Sequence, residues 1–100
     1  MSLTIEKKTG EQAELILGGR LDTTTAPELE AALEDVLMEA TALVMDLKGL
    51  EYISSAGLRV ILKAQKEMDK REGLQLRQVP DSVMEVFDIT GFSDFLDIEK

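Results

Sequence analysis

The chain has 100 residues, of which 20 are acidic and 11 are basic, so its formal net charge is −9. This length fits one domain over residues 1–100. A surface this acidic repels nucleic-acid phosphates and anionic lipids, so neither is an expected partner. The absence of His and Cys excludes metal sites built from them, Cys nucleophiles and Ser-His-Asp triads. No apolar run approaches the ~20 residues of a membrane span, so we expect no direct membrane insertion.

Two strands and a helix are predicted in the first 40 residues. Leu3–Lys8 and residues 13–17 have strand-like patterns on either side of a turn, which predicts an antiparallel hairpin. Thr25 and Glu28 have the spacing of a capping box. Apolar residues then recur at helical spacing, which predicts a helix that ends near Glu39.

The rest of the chain alternates strands with amphipathic helices. The apolar run 42–45 is typical of a central strand covered on both faces, here ending at Asp46 and Leu47. Ser54 or Ser55 can cap a second helix that ends at Gly73. A fourth strand, a third helix and a final strand follow. The predicted fold is therefore α/β, in the order β-β-α-β-α-β-α-β, with a mixed sheet that is parallel after the first hairpin and packs against the helices.

Aliphatic side chains on these elements should form one core, with the late phenylalanines inside it. The expected core residues are Leu33, Leu43, Val44, Met45, Leu47, Ile61, Leu62, Val86, Phe87, Phe92 and Phe95.

Functional groups in such sheets gather where strands end and helices begin. Asp22 follows the second strand, and the segment from Asp46 to Gly57 follows the third, so we expect both at one edge of the sheet. Backbone N–H groups at the start of the second helix attract negative charge near Ser55, and Gly57 would let a partner approach the backbone closely.

Simpler interpretations exist for each of these residues. Ser54 or Ser55 can be no more than a helix cap, Asp22 can merely initiate a turn, and Arg59 can belong to a solvated helix face. Asp22 with Asp46 could in principle hold Mg²⁺, but two carboxylates at strand ends are a weak signal, and we predict neither a metal nor a cofactor. No phosphate-binding or dinucleotide-binding glycine motif is present, so an enzyme is not expected.

The segment DLKGLEYISSAGL, from Asp46 to Leu58, resembles the signature of STAS domains, the sulfate-transporter and anti-sigma-factor-antagonist domains. The segment GRLD, which ends at Asp22, is similar to the acidic motif before the first helix of that family. Two positions differ from the family pattern: Ser54 replaces the usual Asp, and Ala56 replaces Ser or Thr.

The resemblance implies a cytoplasmic anti-sigma-factor antagonist whose phosphorylatable serine is Ser55, with Ser54 as the alternative acceptor. The unphosphorylated form would bind an anti-sigma factor with serine kinase activity and release a sigma factor, and phosphorylation would abolish that binding. The other role that the resemblance allows is a constitutive accessory subunit of a lipid or anion transporter complex. The residues expected to contact the partner are Asp22, Thr24, Ser54, Ser55, Gly57 and Arg59.

Overall fold

The computed structural model describes residues 2–99, which form five strands and three α-helices. In chain order they are β1 Leu3–Lys8, β2 Gln12–Leu21, α1 Ala26–Val36, β3 Ala42–Ile53, α2 Ser55–Asp69, β4 Leu74–Arg77, α3 Asp81–Thr90 and β5 Asp97–Ile98, with a 3₁₀ turn at Phe92–Asp94. The predicted α/β class and element order are confirmed.

The strands lie in the sheet in their chain order, from β1 at one edge to β5 at the other. β1 pairs antiparallel with β2, and every later pair is parallel. Each parallel strand lies beside its predecessor, so three right-handed crossovers advance in one direction and place all three helices on the same face. Within residues 2–99, the other face of the sheet carries no helix.

Burial along β3 shows the consequence of this one-sided arrangement. Leu43, Met45 and Leu47 are buried on the helix side, whereas Val44 and Asp46 are only partly covered on the open side. The prediction that this strand is covered on both faces is therefore wrong. Its apolar run meets a helix layer on one side only.

The core lies between the helix-side face of the sheet and the three helices. Leu15, Met45 and Leu76 are in register on adjacent strands, and all three are fully buried. Most of the predicted core is confirmed, but five residues differ. Val44, Leu62, Val86 and Phe92 are only partly buried, and Phe95 is 69% exposed.

β3 is longer than predicted, because residues 48–53 continue the strand instead of turning out of it. Two register shifts against β2 each leave one extra residue in β3: the pair Ile16–Asp46 is followed by Gly18–Gly49, and Gly19–Leu50 by Arg20–Tyr52. A Cβ on Gly49 would lie 3.2 Å from the Cα of Gly18, so this irregular stretch depends on close backbone approach.

Candidate functional site

The carboxyl ends of β2 and β3 meet at one edge of the sheet. Leu21 and Ile53 are paired, and the backbone N–H of Ser54 donates to the carbonyl oxygen of Leu21 at 2.9 Å. Asp22 and Ser54 therefore leave the sheet side by side, as predicted. We call the region formed by residues 22–25 and 54–59 the carboxyl edge, whose exposed residues are Thr23, Thr24, Ser55 and Arg59.

The two serines at the start of α2 have different environments. Ser54 is the N-cap: its backbone is extended, with φ −100° and ψ 174°, and its hydroxyl accepts a hydrogen bond from the N–H of Gly57 at 3.3 Å. Ser55 is the first helical residue and is exposed. The first turn of α2 contains no acidic residue, so its positive end faces Ser55 without a counter-charge of its own.

Asp22 shapes the turn that leads into α1. Its Oδ1 accepts hydrogen bonds from the backbone N–H groups of Thr24 and Thr25, each at 3.0 Å. These bonds favour the ionised carboxylate and hold the pKa of Asp22 below its usual value, with the N–H of Thr25 as the largest cause and the positive charge of Arg20 as a smaller one. The turn-forming interpretation of Asp22 is therefore confirmed, and its contact with a partner stays a prediction.

Thr25 occupies the N-cap position of α1 but does not form the predicted capping box. Its side chain makes no cap hydrogen bond. The buried hydroxyl instead donates to the carbonyl oxygen of Arg20 at 2.8 Å and accepts from the N–H of Asp22 at 2.9 Å. The capping-box prediction is wrong because this hydroxyl ties the turn back to β2, which fixes where Asp22 and Thr24 lie.

Arg20 and Tyr52 form a contact that sequence analysis missed. They face each other on β2 and β3, with the Cζ of Arg20 4.2 Å from the centroid of the Tyr52 ring. The Nε of Arg20 lies 3.8 Å from Oδ2 of Asp22, and Tyr52 is 42% exposed. Strand alternation through residue 53 would have revealed the pair. An exposed Tyr stacked on Arg is typical of protein-binding surfaces.

Gly57 is buried and does not belong to an exposed surface, so that expectation is wrong. A Cβ at this position would lie 2.6 Å from Cγ and 3.1 Å from the carbonyl oxygen of Leu21. The missing side chain therefore lets α2 pack against the end of β2. Thr24 and Arg59 are exposed, and Arg59 lies one helical turn after Ser55.

Asp46 does not belong to the carboxyl edge. It lies in the middle of β3, seven residues before Ile53 and so roughly 20 Å along the strand from the edge. Its carboxylate accepts from the N–H of Lys48 at 2.9 Å and from Nε2 of Gln78 at 2.8 Å. Asp46 and Asp22 are thus too far apart to share a cation. Across residues 2–99, no three carboxylates come together as a group that could hold a metal.

Comparison with known proteins agrees with this fold. A family model described as "Mlab, STAS domain" matches residues 5–97, and the chain therefore belongs to the STAS-domain family. The anti-sigma-B factor antagonist of Listeria monocytogenes is 32% identical over 102 residues, which cover 100% of this chain and 90% of that protein.

Two solved structures share the fold. An anti-sigma factor antagonist from Mycobacterium paratuberculosis superposes with a TM-score of 0.87 at 24% identity, covering 97% of this chain and 85% of that one. The phosphorylated form of SpoIIAA, a Bacillus cell fate determinant, superposes with a TM-score of 0.72 at 19% identity, covering 99% of this chain and 92% of that one. Among residues 2–99, no helix is both long enough and apolar enough to cross a bilayer.

Proposed function

We propose that this chain is an anti-sigma-factor antagonist that binds an anti-sigma factor through the carboxyl edge and is switched by phosphorylation of Ser55. The observation that carries the proposal is the exposed Ser55 at the start of α2, beside a Ser54 that already serves as the cap. The relatedness to an anti-sigma-B factor antagonist over the whole chain supplies the class of partner. Binding to such a partner would require the chain to be in the cytoplasm.

The geometry favours Ser55 over Ser54 as the phosphate acceptor. The Ser54 hydroxyl accepts from the N–H of Gly57, and a capping bond of this type is worth about 0.5–2 kcal/mol. A kinase that modified Ser54 would have to break that bond and extract a half-buried side chain. Ser55 is exposed and requires neither change.

Phosphate on Ser55 should change the domain's own stability little. It adds about −1.5 to −2 charges at neutral pH. The helix N-terminus favours this charge by about 0.3–1 kcal/mol, while the ionised Asp22 across the edge opposes it. Both interactions are damped by solvent, because Ser55 is exposed.

The phosphate should affect the affinity for a partner much more strongly than it affects the stability of the domain. A surface that fits the neutral Ser55 hydroxyl has to accommodate a bulky dianion, and burial of an unpaired charge at an interface can cost several kcal/mol. That cost corresponds to a loss of affinity on the order of a hundredfold. The partner, an anti-sigma factor with serine kinase activity, would supply ATP and Mg²⁺, so this chain would need no cofactor of its own.

The competing role is a constitutive accessory subunit of a lipid or anion transporter complex. The observation that fits it is the cap itself, since Ser54 has a sufficient structural role without any kinase. In that role neither serine would be modified, and a negative charge at position 55 would leave assembly unchanged.

The test incubates the purified chain with ATP and an anti-sigma factor kinase encoded near its gene, and locates the phosphate by tandem mass spectrometry. We expect modification of wild type and of the control Ser54→Ala, and none of Ser55→Ala. Binding to the same kinase should persist in Ser55→Ala and weaken at least about tenfold in Ser55→Asp. Phosphate on Ser54 would move the site by one residue. No phosphate with the cognate kinase, together with normal binding by Ser55→Asp, would refute the switch and favour the accessory role.

A further inference from the structure

Two large apolar side chains lie exposed around the end of α3. Ile89 is 78% exposed in the last turn of the helix, and Phe95 is 69% exposed just beyond the 3₁₀ turn. Gly91 ends α3 in the left-handed conformation, with φ +81°, and separates the two. Large exposed apolar groups that form a contiguous patch often mark a binding surface.

A groove runs beside these residues, between α3 and the segment that leads into β5. Its volume is about 350 Å³. The groove is lined by Met84, Asp88, Ser93, Asp94, Leu96 and Ile98. Met84, Leu96 and Ile98 give it an apolar side, and Asp88, Ser93 and Asp94 make the rest of its lining polar, with two carboxylates. Ile89 and Phe95 each directly follow one of these acids in the chain. We call this feature the α3 groove.

The surroundings of the α3 groove have one sign of charge. From Gln78 to Glu99 the chain contains six acidic residues and no Lys or Arg. The acidic residues are Asp81, Glu85, Asp88, Asp94, Asp97 and Glu99. Arg77 reaches in from β4 and pairs with Glu99 at 3.1 Å, but within residues 2–99 the other five form no salt bridge. A ligand for this groove must therefore carry positive charge around an apolar centre.

The α3 groove is remote from the carboxyl edge. α3 begins after the carboxyl end of β4 and runs back across the sheet, so Ile89 and Gly91 lie toward the amino ends of the parallel strands, opposite the carboxyl edge. The groove also lies at β5, two strands away from β3. A partner held here need not touch Ser55.

We propose that the α3 groove binds an amphipathic helix of a partner protein, with an apolar stripe flanked by Lys and Arg. Such a helix places its apolar stripe in the groove and its cations opposite the acids of the rim. A second copy of this chain carries the same −9 charge and the same acidic rim, so it is repelled. Addition of an extended strand gains little, because β5 has only two residues. This surface goes beyond the proposed switch and gives the domain a second binding site.

The experiment titrates the ¹⁵N-labelled chain with an amphipathic Leu/Lys helical peptide and follows backbone amide shifts. A Ser/Lys peptide of equal length and charge is the electrostatic control. We expect the Leu/Lys peptide to bind more tightly and to shift the resonances of Met84, Asp88 and Ile98. The variant Ile89→Ser/Phe95→Ser should weaken binding about tenfold or more, because both side chains are exposed and can be buried by the peptide.

Two further variants complete the design. Met38→Ser removes an 85% exposed apolar side chain elsewhere and should leave peptide affinity unchanged. Ser55→Asp should also leave it unchanged, since the groove is remote from the carboxyl edge. Equal binding of both peptides, shifts scattered over the whole acidic surface, or no effect of the double variant would overturn the proposal. So would a dimer in sedimentation that the double variant dissociates, because the groove would then bind a second copy.

Discussion

Replacement of Gly57 by Ala tests how α2 is held against the sheet. The added Cβ would lie 2.6 Å from Cγ and 3.0 Å from Cδ2 of Leu21, and 3.1 Å from the Leu21 carbonyl oxygen. Leu21 is fully buried, so its side chain has no free space into which to move. The carbonyl oxygen belongs to the strand end that receives the N–H of Ser54. Relief of the clash therefore requires a shift of α2 or of β2.

The expected loss of stability follows from two opposing effects. Overpacking of a well-packed core costs about 1–3 kcal/mol, and contacts this short place Gly57→Ala near the upper end. Ala is better than Gly inside a helix by about 1 kcal/mol. We therefore expect the free energy of unfolding of Gly57→Ala to be about 2 kcal/mol lower than that of wild type. Gly57→Val should lose more, because it adds two methyl groups at the same place.

Urea denaturation followed by circular dichroism measures the change, with Leu21→Ala as the partner in a double-mutant cycle. Removal of Cγ and both Cδ atoms opens the space that the new Cβ needs. On the Leu21→Ala background only the 3.1 Å contact with the carbonyl oxygen remains, so Gly57→Ala should cost clearly less than it does in wild type. If Gly57→Ala alone is as stable as wild type, the close packing of α2 on β2 is incorrect.

Two further predictions concern the core and the acid response. Ile61→Ala should lower the free energy of unfolding by about 2–5 kcal/mol, because Ile61 is fully buried. Leu62→Ala should lower it less, because Leu62 is only half-buried. The reverse order in urea denaturation would contradict the assigned helix face. The pKa of Asp22 is lower in the folded state than its ordinary value of about 3.9, so the ionised carboxylate stabilises the folded state above that pH. This stabilisation is lost as the pH falls through the lowered pKa of the folded state. Wild type should therefore be more stable than Asp22→Asn near pH 6, and thermal unfolding should show this advantage shrinking below about pH 4; parallel curves would refute the role of the Asp22 charge.

The order of the elements could be predicted because each has a clear hydrophobic period or a clear breaker. α1 and α2 show apolar residues at helical spacing, and Gly91 marks the end of α3, whereas α2 ends at Asp69, before the predicted Gly73. The edge that joins Asp22 to Ser54 followed from topology alone, since parallel strands bring their carboxyl ends together. These parts of the fold depend on local pattern and on general rules of connection.

The errors arise where packing between elements decides the structure. Residues 48–53 contain Gly49 and two charged residues, which are typical of a turn, yet the chain continues as a bulged strand beside Gly18 and Gly19. Gly57 was interpreted as an opening for a partner because its neighbour across the edge, Leu21, is 36 positions earlier in the chain. Neither contact can be predicted from the residues that surround it in the sequence.

The rigidity of the carboxyl edge determines how a charge at Ser55 could act. Ser54 caps α2, Gly57 packs the helix onto Leu21, and the Asp22 turn after β2 is held by the backbone N–H groups of Thr24 and Thr25. Because these contacts fix the backbone around it, Ser55 has little freedom to move away from the surface when it is phosphorylated. The phosphate would therefore change the charge of the surface that contacts a partner and would not cause local unfolding. For the same reason, Gly57→Ala can weaken partner binding by displacing Ser55, and only variants at Ser55 that keep wild-type stability report on the charge itself.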